Sequence, residues 1–281
     1  MLIAAASSHN LSQEMSNETP AIWYCHCAYR DAFPAGKRLE ILAALQAAGV
    51  AFQAVPDLCE WAARKDDRLK QLAQLPRLTI VACYPRAVLG LLCAGDVLLD
   101  EKKVTVLNPL AQTAAEIVGQ LLEGSAASKP VELPALEKGN GWVPWFPVID
   151  YGRCVNCRQC LSFCLFGVYA ASPEGRVEVR NPHHCKTYCP ACARICPEIA
   201  IMFPKHAEGP INGAPIVQEE IERAKVKVNV EQMLGSDPYG ALTDRRKRAR
   251  LMLLKKQSDT ALVTPPSMSP GLVDLQFKKP E

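Results

Sequence analysis

IDYGRCVNCRQCLSFC at residues 149–164 and HHCKTYCPACARICPEIAI at residues 183–201 carry eight of the chain's thirteen cysteines. Cys154, Cys157, Cys160 and Cys164 form one run, and Cys185, Cys189, Cys192 and Cys196 form a second. Each run can wrap three sulfurs around an iron–sulfur cube. The first is C-x2-C-x2-C-x3-C, the spacing in which three close cysteines ligate one [4Fe–4S] cluster while the fourth reaches across to another.

Over about Pro147 to Pro204 these residues resemble a bacterial-type two-cluster [4Fe–4S] ferredoxin. The resemblance implies one cluster on Cys154, Cys157, Cys160 and Cys196, and a second on Cys164, Cys185, Cys189 and Cys192, so that the crossing makes both sites one folding unit. Two positions depart from the pattern. Leu165 follows Cys164 where such ferredoxins usually have proline, and the second run opens C-x3-C instead of C-x2-C. The extra residue can be absorbed as a bulge in the loop, and a [3Fe–4S] cluster there is conceivable.

Zinc is the rival reading, since C-x2-C knuckles also build closed tetrahedral sites. Four cysteines within eleven residues crowd a single zinc, whereas a cube needs three ligands on a tight turn and a distant fourth. Disulfides are disfavoured because MLIAAASSHNLSQEMSNETP lacks a basic region and a long apolar stretch, so no export signal is expected. A cytoplasmic protein is the expectation. No run of eighteen apolar residues occurs, which excludes a spanning helix on sequence grounds. The formal charge of +3 counts cysteines as neutral; each cluster with four thiolates adds about −2, leaving the loaded protein mildly acidic.

Upstream, Ala21–Tyr24, Ala51–Val55, Leu78–Ala82 and Val104–Leu107 are short apolar runs suited to strands covered on both faces. Helical stretches lie between them: Lys37–Ala48 ending at Gly49, Glu60–Ala73, Arg86–Cys93 behind Pro85, and Ala111–Leu122 ending at Gly124. This β-α alternation predicts a parallel sheet. Cys25 and Cys27 end the first strand, Cys59 follows the second and Cys83 ends the third, so all four sit at the carboxyl edge where α/β sheets form ligand crevices. Cys25 and Cys27, two apart on extended chain, are expected to face one side. Asp57 and Glu60 read as a cap that puts Cys59 in a helix's first turn, where N–H groups and the dipole favour a thiolate.

The residues IWYCHC, DLCEW and ACYPR look like the N-terminal domain of the heterodisulfide reductase A subunit, over about 100 residues. That family carries iron–sulfur clusters and flavin, and the resemblance implies a third [4Fe–4S] cluster on Cys25, Cys27, Cys59 and Cys83. The chain passes from the sheet directly into the ferredoxin module, so the family's flavin domain is not expected between them. The other readings of these four are zinc, redox-active thiols, or ordinary buried cysteines. Cys93, inside the helical VLGLLC stretch, is read as a core residue.

No G-x-G-x-x-G follows a strand and no G-x-x-x-x-G-K-[ST] occurs, so neither an NAD or flavin dinucleotide site nor a P-loop is indicated. His26, His183 and His184 lie beside cysteines and are read as tuning or solvent-facing groups, with ligation the lesser alternative. Trp142, Trp145 and Phe146 are expected to cover the ferredoxin's apolar side or the junction between domains. After Pro204, helices are expected over Val217–Leu234 and from about Pro238 to Lys256. The second carries Arg245, Arg246, Lys247, Arg248, Arg250, Lys255 and Lys256, a positive face open to an acidic partner; nucleic acid is disfavoured because no aromatics interleave.

The expected layout is therefore a flexible leader (1–20), an α/β parallel-sheet domain (21–124), a linker (125–146), a small α+β two-cluster module (147–204) and a helical, partly disordered basic tail (205–281). The expected function is single-electron relay to redox partner proteins, as a carrier or a subunit of a larger oxidoreductase. The alternative is a thiol/disulfide reductase centred on Cys25 and Cys27 and fed by the ferredoxin module.

Overall fold

The computed structural model describes residues 21–29, 33–122 and 141–234 together with 237, 240, 241, 243, 244 and 247. The expected leader, most of the linker, Arg245, Arg246, Arg248, Arg250 and the chain from 251 onward lie outside the described residues. Four strands, β1 (Ala21–Cys25), β2 (Gln53–Val55), β3 (Leu78–Val81) and β4 (Val104–Leu107), form a parallel sheet of order β2-β1-β3-β4. The inner strands AIWYC and LTIV are buried throughout, as apolar runs without alternation require when both faces are covered. Trp23 and Cys25 of β1 face one core with Ile80, Trp61 and Leu91; Ile22 and Tyr24 face the other with Ile41, Leu45 and Ile117. That split follows from the two-residue period of a strand.

Helix α1 (Ala35–Ala47) ends before Gly49, whose φ of +63° turns the chain into β2. The helix expected over Glu60–Ala73 is instead two, α2 (Leu58–Arg64) and α3 (Asp67–Leu72). Lys65 ends α2 at φ +52° and Asp66 accepts from Arg68 N–H to start α3. Apolar periodicity runs across the break, but an aspartate satisfies free N–H groups best as an N-cap, and that local preference prevails. Helices α4 (Pro85–Ala94) and α5 (Ala114–Leu122) complete the cover.

Downstream, β5 (Val148–Ile149), α6 (Gln159–Phe163), β6 (Tyr169–Ala171), β7 (Val177–Val179), α7 (Ala191–Arg194) and β8 (Ile201–Met202) repeat one strand–helix–strand unit twice. β5 pairs with β8 and β6 with β7, both antiparallel, so the halves interlock around a pseudo-twofold axis. Finally α8 (Glu219–Leu234) is tied back by Arg223 to Glu198 at 2.8 Å and to the Pro197 carbonyl at 2.9 Å.

The β5–β8 ribbon joins the two halves of the molecule. Phe146, Val148 and Met202 point into the core shared with β1 and α4, while Trp145, Ile149, Ile201 and Phe203 point into the core around the downstream cysteines. The aromatic segment thus serves both of its expected roles, one residue at a time. Burial of each large apolar side chain contributes about 1.5–3 kcal/mol. Helix α4 supports the ribbon at close range: Arg86 Nε donates to Asp150 Oδ2 at 3.0 Å and its NH2 to the Ile199 carbonyl at 3.1 Å. A Cβ at Gly90 would stand 3.2 Å from Val148 Cγ2. No described helix is long and apolar enough to cross a membrane.

Candidate metal centres

The sheet topology delivers the N-terminal cysteines to one place. Cys25, Cys27, Cys59 and Cys83 all line one cavity at the carboxyl ends of β1, β2 and β3. The β1–β2 ladder continues past β1, with His26 N–H donating to Val55 at 2.8 Å and Ala28 N–H to Pro56 at 3.0 Å. Cys27 is not extended as expected; its φ of +53° turns the chain, and Arg38 fixes it by donating to its carbonyl at 2.8 Å. Asp57 caps α2 by accepting from Glu60 N–H at 3.1 Å, setting Cys59 in the first turn.

Electrostatics there reverse one expectation. Burial pushes the thiols of Cys25 and Cys59 well above the usual thiol range, with the neighbouring sulfurs and Asp57 adding to the rise. The helix start and the 3.3 Å hydrogen bond from Leu58 N–H to Cys25 Sγ do not offset that desolvation. A bare thiolate is therefore disfavoured at this site. A bound metal reverses the balance, because coordination deprotonates a thiol outright.

In the downstream half, Cys154, Cys157, Cys160 and Cys196 line a second cavity. Burial pushes the Cys160 thiol up to about 12, with Cys196, Cys157 and Cys154 as the neighbouring sulfurs. Cys185 is likewise pushed up to about 12, by burial first and then by Cys189 and Cys164. Cys196 of the second run thus lies with the first three cysteines, and Cys164 of the first run neighbours Cys185 and Cys192. Backbone N–H groups approach them, as with Ala200 to Cys196 Sγ at 3.4 Å. The cysteine sulfurs line two cavities, one in each half.

Both sequence departures are accommodated locally. Leu165 is about half exposed in a turn that ends at Gly167, φ +68°, so nothing there requires proline. The extra residue of the second run is taken up by a turn closed by Cys189 N–H to the Lys186 carbonyl at 3.0 Å. Left-handed backbone recurs in twofold-related positions: Asn156 (+63°) before Cys157 and Tyr188 (+64°) before Cys189, Gly167 after Cys164 and Ile199 (+52°) after Cys196. For a β-branched residue such as Ile199 that conformation is held only by its surroundings.

Other residues fall elsewhere. Cys93 is half-buried beside Arg176 instead of in the core. His183 and His184 line a separate cavity with Arg64 and Arg180, and the His183 ring packs 4.1 Å from that of Trp142. His26 packs edge-on to Tyr24, and burial lowers its pKa. Two site residues were missed from sequence. Lys205 lines the four-cysteine cavity and is ion-paired with Asp57. Tyr169, 6% exposed, sits among Cys160, Cys164 and Cys192 with its hydroxyl buried.

Residues 146–197 match the family described as a 4Fe-4S dicluster domain. The chain is 49% identical over 63 residues to an uncharacterized ferredoxin of Methanocaldococcus jannaschii, covering 22% of this chain and 42% of that protein. It is 33% identical over 78 residues to ferredoxin-3 of Nostoc sp., covering 21% of this chain and 79% of that protein. The chain thus spans less than half the length of the first relative. No solved structure matches it. The cysteine spacing, the interlocked ribbons and these relatives agree: the chain belongs to the ferredoxins through a 4Fe-4S dicluster domain at residues 146–197, and iron–sulfur electron transfer is the chemistry of that domain.

Proposed function

We propose that the protein relays single electrons between its two-cluster ferredoxin module and a third [4Fe–4S] cluster on Cys25, Cys27, Cys59 and Cys83, as a redox partner or subunit of a larger oxidoreductase. In the ferredoxin module, Cys154, Cys157, Cys160 and Cys196 hold one cluster and Cys164, Cys185, Cys189 and Cys192 the other. The observation that carries the reading is the common cavity: cysteines from three strand ends, up to 58 positions apart in sequence, line one space. The resemblance to the N-terminal domain of the heterodisulfide reductase A subunit supports the same assignment.

Bound clusters supply one-electron storage with little rearrangement. The chain's own groups fix the sulfurs, donate N–H···S bonds and exclude water from the apolar walls, which are the levers that set cluster potential. The shared β5–β8 ribbon supports electron exchange between the halves, since its alternate residues pack into both cores. Disulfide reduction at Cys25 and Cys27 has less support. A nucleophilic thiol needs an electropositive, partly exposed setting, and burial drives Cys25 the other way.

The test is Cys27→Ser. Loss of about four irons with both ferredoxin signals retained in electron paramagnetic resonance supports the relay. An unchanged iron content refutes the third cluster.

A further inference from the structure

Lys205 follows the last ferredoxin cysteine by nine positions, yet its ammonium is buried inside the other half of the molecule. Its side chain is 4% exposed and that of its partner Asp57 is fully buried. Asp57 divides its two oxygens, Oδ1 accepting from Glu60 N–H and Oδ2 accepting from Lys205 Nζ. The Tyr29 ring lies 5.8 Å from the same Nζ. Burying two charges costs several kcal/mol per ion before their attraction is counted, so a hydrophobic pair would serve packing as well.

The orientation of the pair is informative. Lys205 lines the cavity with Cys25, Cys27, Cys59 and Cys83, whereas Asp57 does not, so the positive end of this buried dipole faces the sulfurs. Four thiolates around a cluster leave about −2 on the oxidised site, and each added electron deepens that charge in a low-dielectric setting. Arg38 donates to the Cys27 carbonyl at 2.8 Å.

We infer that Lys205 is a positioning residue of the four-cysteine site: clamped by Asp57, its ammonium faces the sulfurs, compensates the charge gained on one-electron reduction, and so raises that site's reduction potential. The inference rests on the third cluster proposed above. The step is an electron transfer alone, with the ferredoxin module as reductant and no bond made or broken; the proton stays on Lys205. Because Lys205 belongs to the chain just after β8, the ferredoxin half supplies the charge that makes the other half a better acceptor. Undocking the halves would withdraw that charge.

The experiment is a redox titration of the full-length, iron-loaded protein followed by electron paramagnetic resonance, comparing wild type with Lys205→Arg and with the double variant Asp57→Asn/Lys205→Met. The double variant removes both charges and keeps the size and the N-cap, so it avoids stranding a buried aspartate. Expected is a fall of at least tenfold in the equilibrium constant for reducing the N-terminal cluster, about 59 mV for one electron, with the two ferredoxin potentials unmoved and with Lys205→Arg close to wild type. A full iron content with an unmoved N-terminal potential overturns the role of Lys205 and leaves the cluster standing. About eight irons in the wild type overturns both. A purely structural role would shift all three potentials together or lose iron, and either result counts against the inference.

Discussion

Asp57 joins three tasks at one position: it caps α2, clamps Lys205 and backs Cys59. Replacing it by alanine strands a buried ammonium and removes the cap, so Asp57→Ala should cost about 3–5 kcal/mol, read as a fall in thermal midpoint of the loaded protein. Asp57→Asn keeps the cap and should lose less; equal losses would assign the whole effect to the ion pair. Tyr169 makes a second prediction at this scale. Its buried hydroxyl lies next to the Cys192 sulfur, where its twofold counterpart Ile201 offers nothing polar. Tyr169→Phe should lower the potential of the cluster assigned to Cys192 and leave the other ferredoxin cluster unmoved, because an O–H donor stabilises the more negative state. The cap at Asp57 is legible in sequence, but neither Lys205 nor Tyr169 announces itself there. The Lys205–Asp57 pair spans 148 positions, and no periodicity or spacing rule reaches that far. The cysteines were legible because their chemistry fixes their spacing.

At the scale of elements, the docking of α4 depends on glycines. A Cβ at Gly213 would lie 2.6 Å from Ala87 Cβ and 2.9 Å from its backbone nitrogen, at a φ of +92°. Gly213→Ala should therefore destabilise by about 1–3 kcal/mol, through overpacking and backbone strain together. Gly119 in α5 is the contrast: it is exposed and a Cβ there meets nothing within 4 Å, so Gly119→Ala should add about 0.5–1 kcal/mol. Thermal melts of both variants check the pair, and a Gly213→Ala protein as stable as wild type would remove the close-docking account. The strands were legible as apolar runs between helical segments, and β4 matched end to end. The break between α2 and α3 was not, since the apolar period crosses it and only capping chemistry at Asp66 decides. The shared ribbon was half legible. Trp145 and Phe146 were marked as buried, but which side each faces depends on the alternation of a strand only two residues long.

Across the whole molecule the two halves differ in what holds them. The sheet half buries two apolar cores around four strands, whereas the ferredoxin half has two-residue and three-residue strands and helices of four and five residues. So little regular structure cannot offset chain entropy, and cluster binding supplies the difference, as structural metal sites do in small domains. Stripping the iron by oxidation and chelation should release amide protection across residues 146–203 while the β1 and β3 amides stay protected in hydrogen exchange. Uniform loss would mean the halves fold as one unit. The central claim is that this chain holds three clusters, and the most direct measurement is iron and acid-labile sulfide per chain on anaerobically purified protein. The account predicts about twelve of each per chain; about eight, with both ferredoxin signals intact, would contradict it and leave Cys25, Cys27, Cys59 and Cys83 without a cluster.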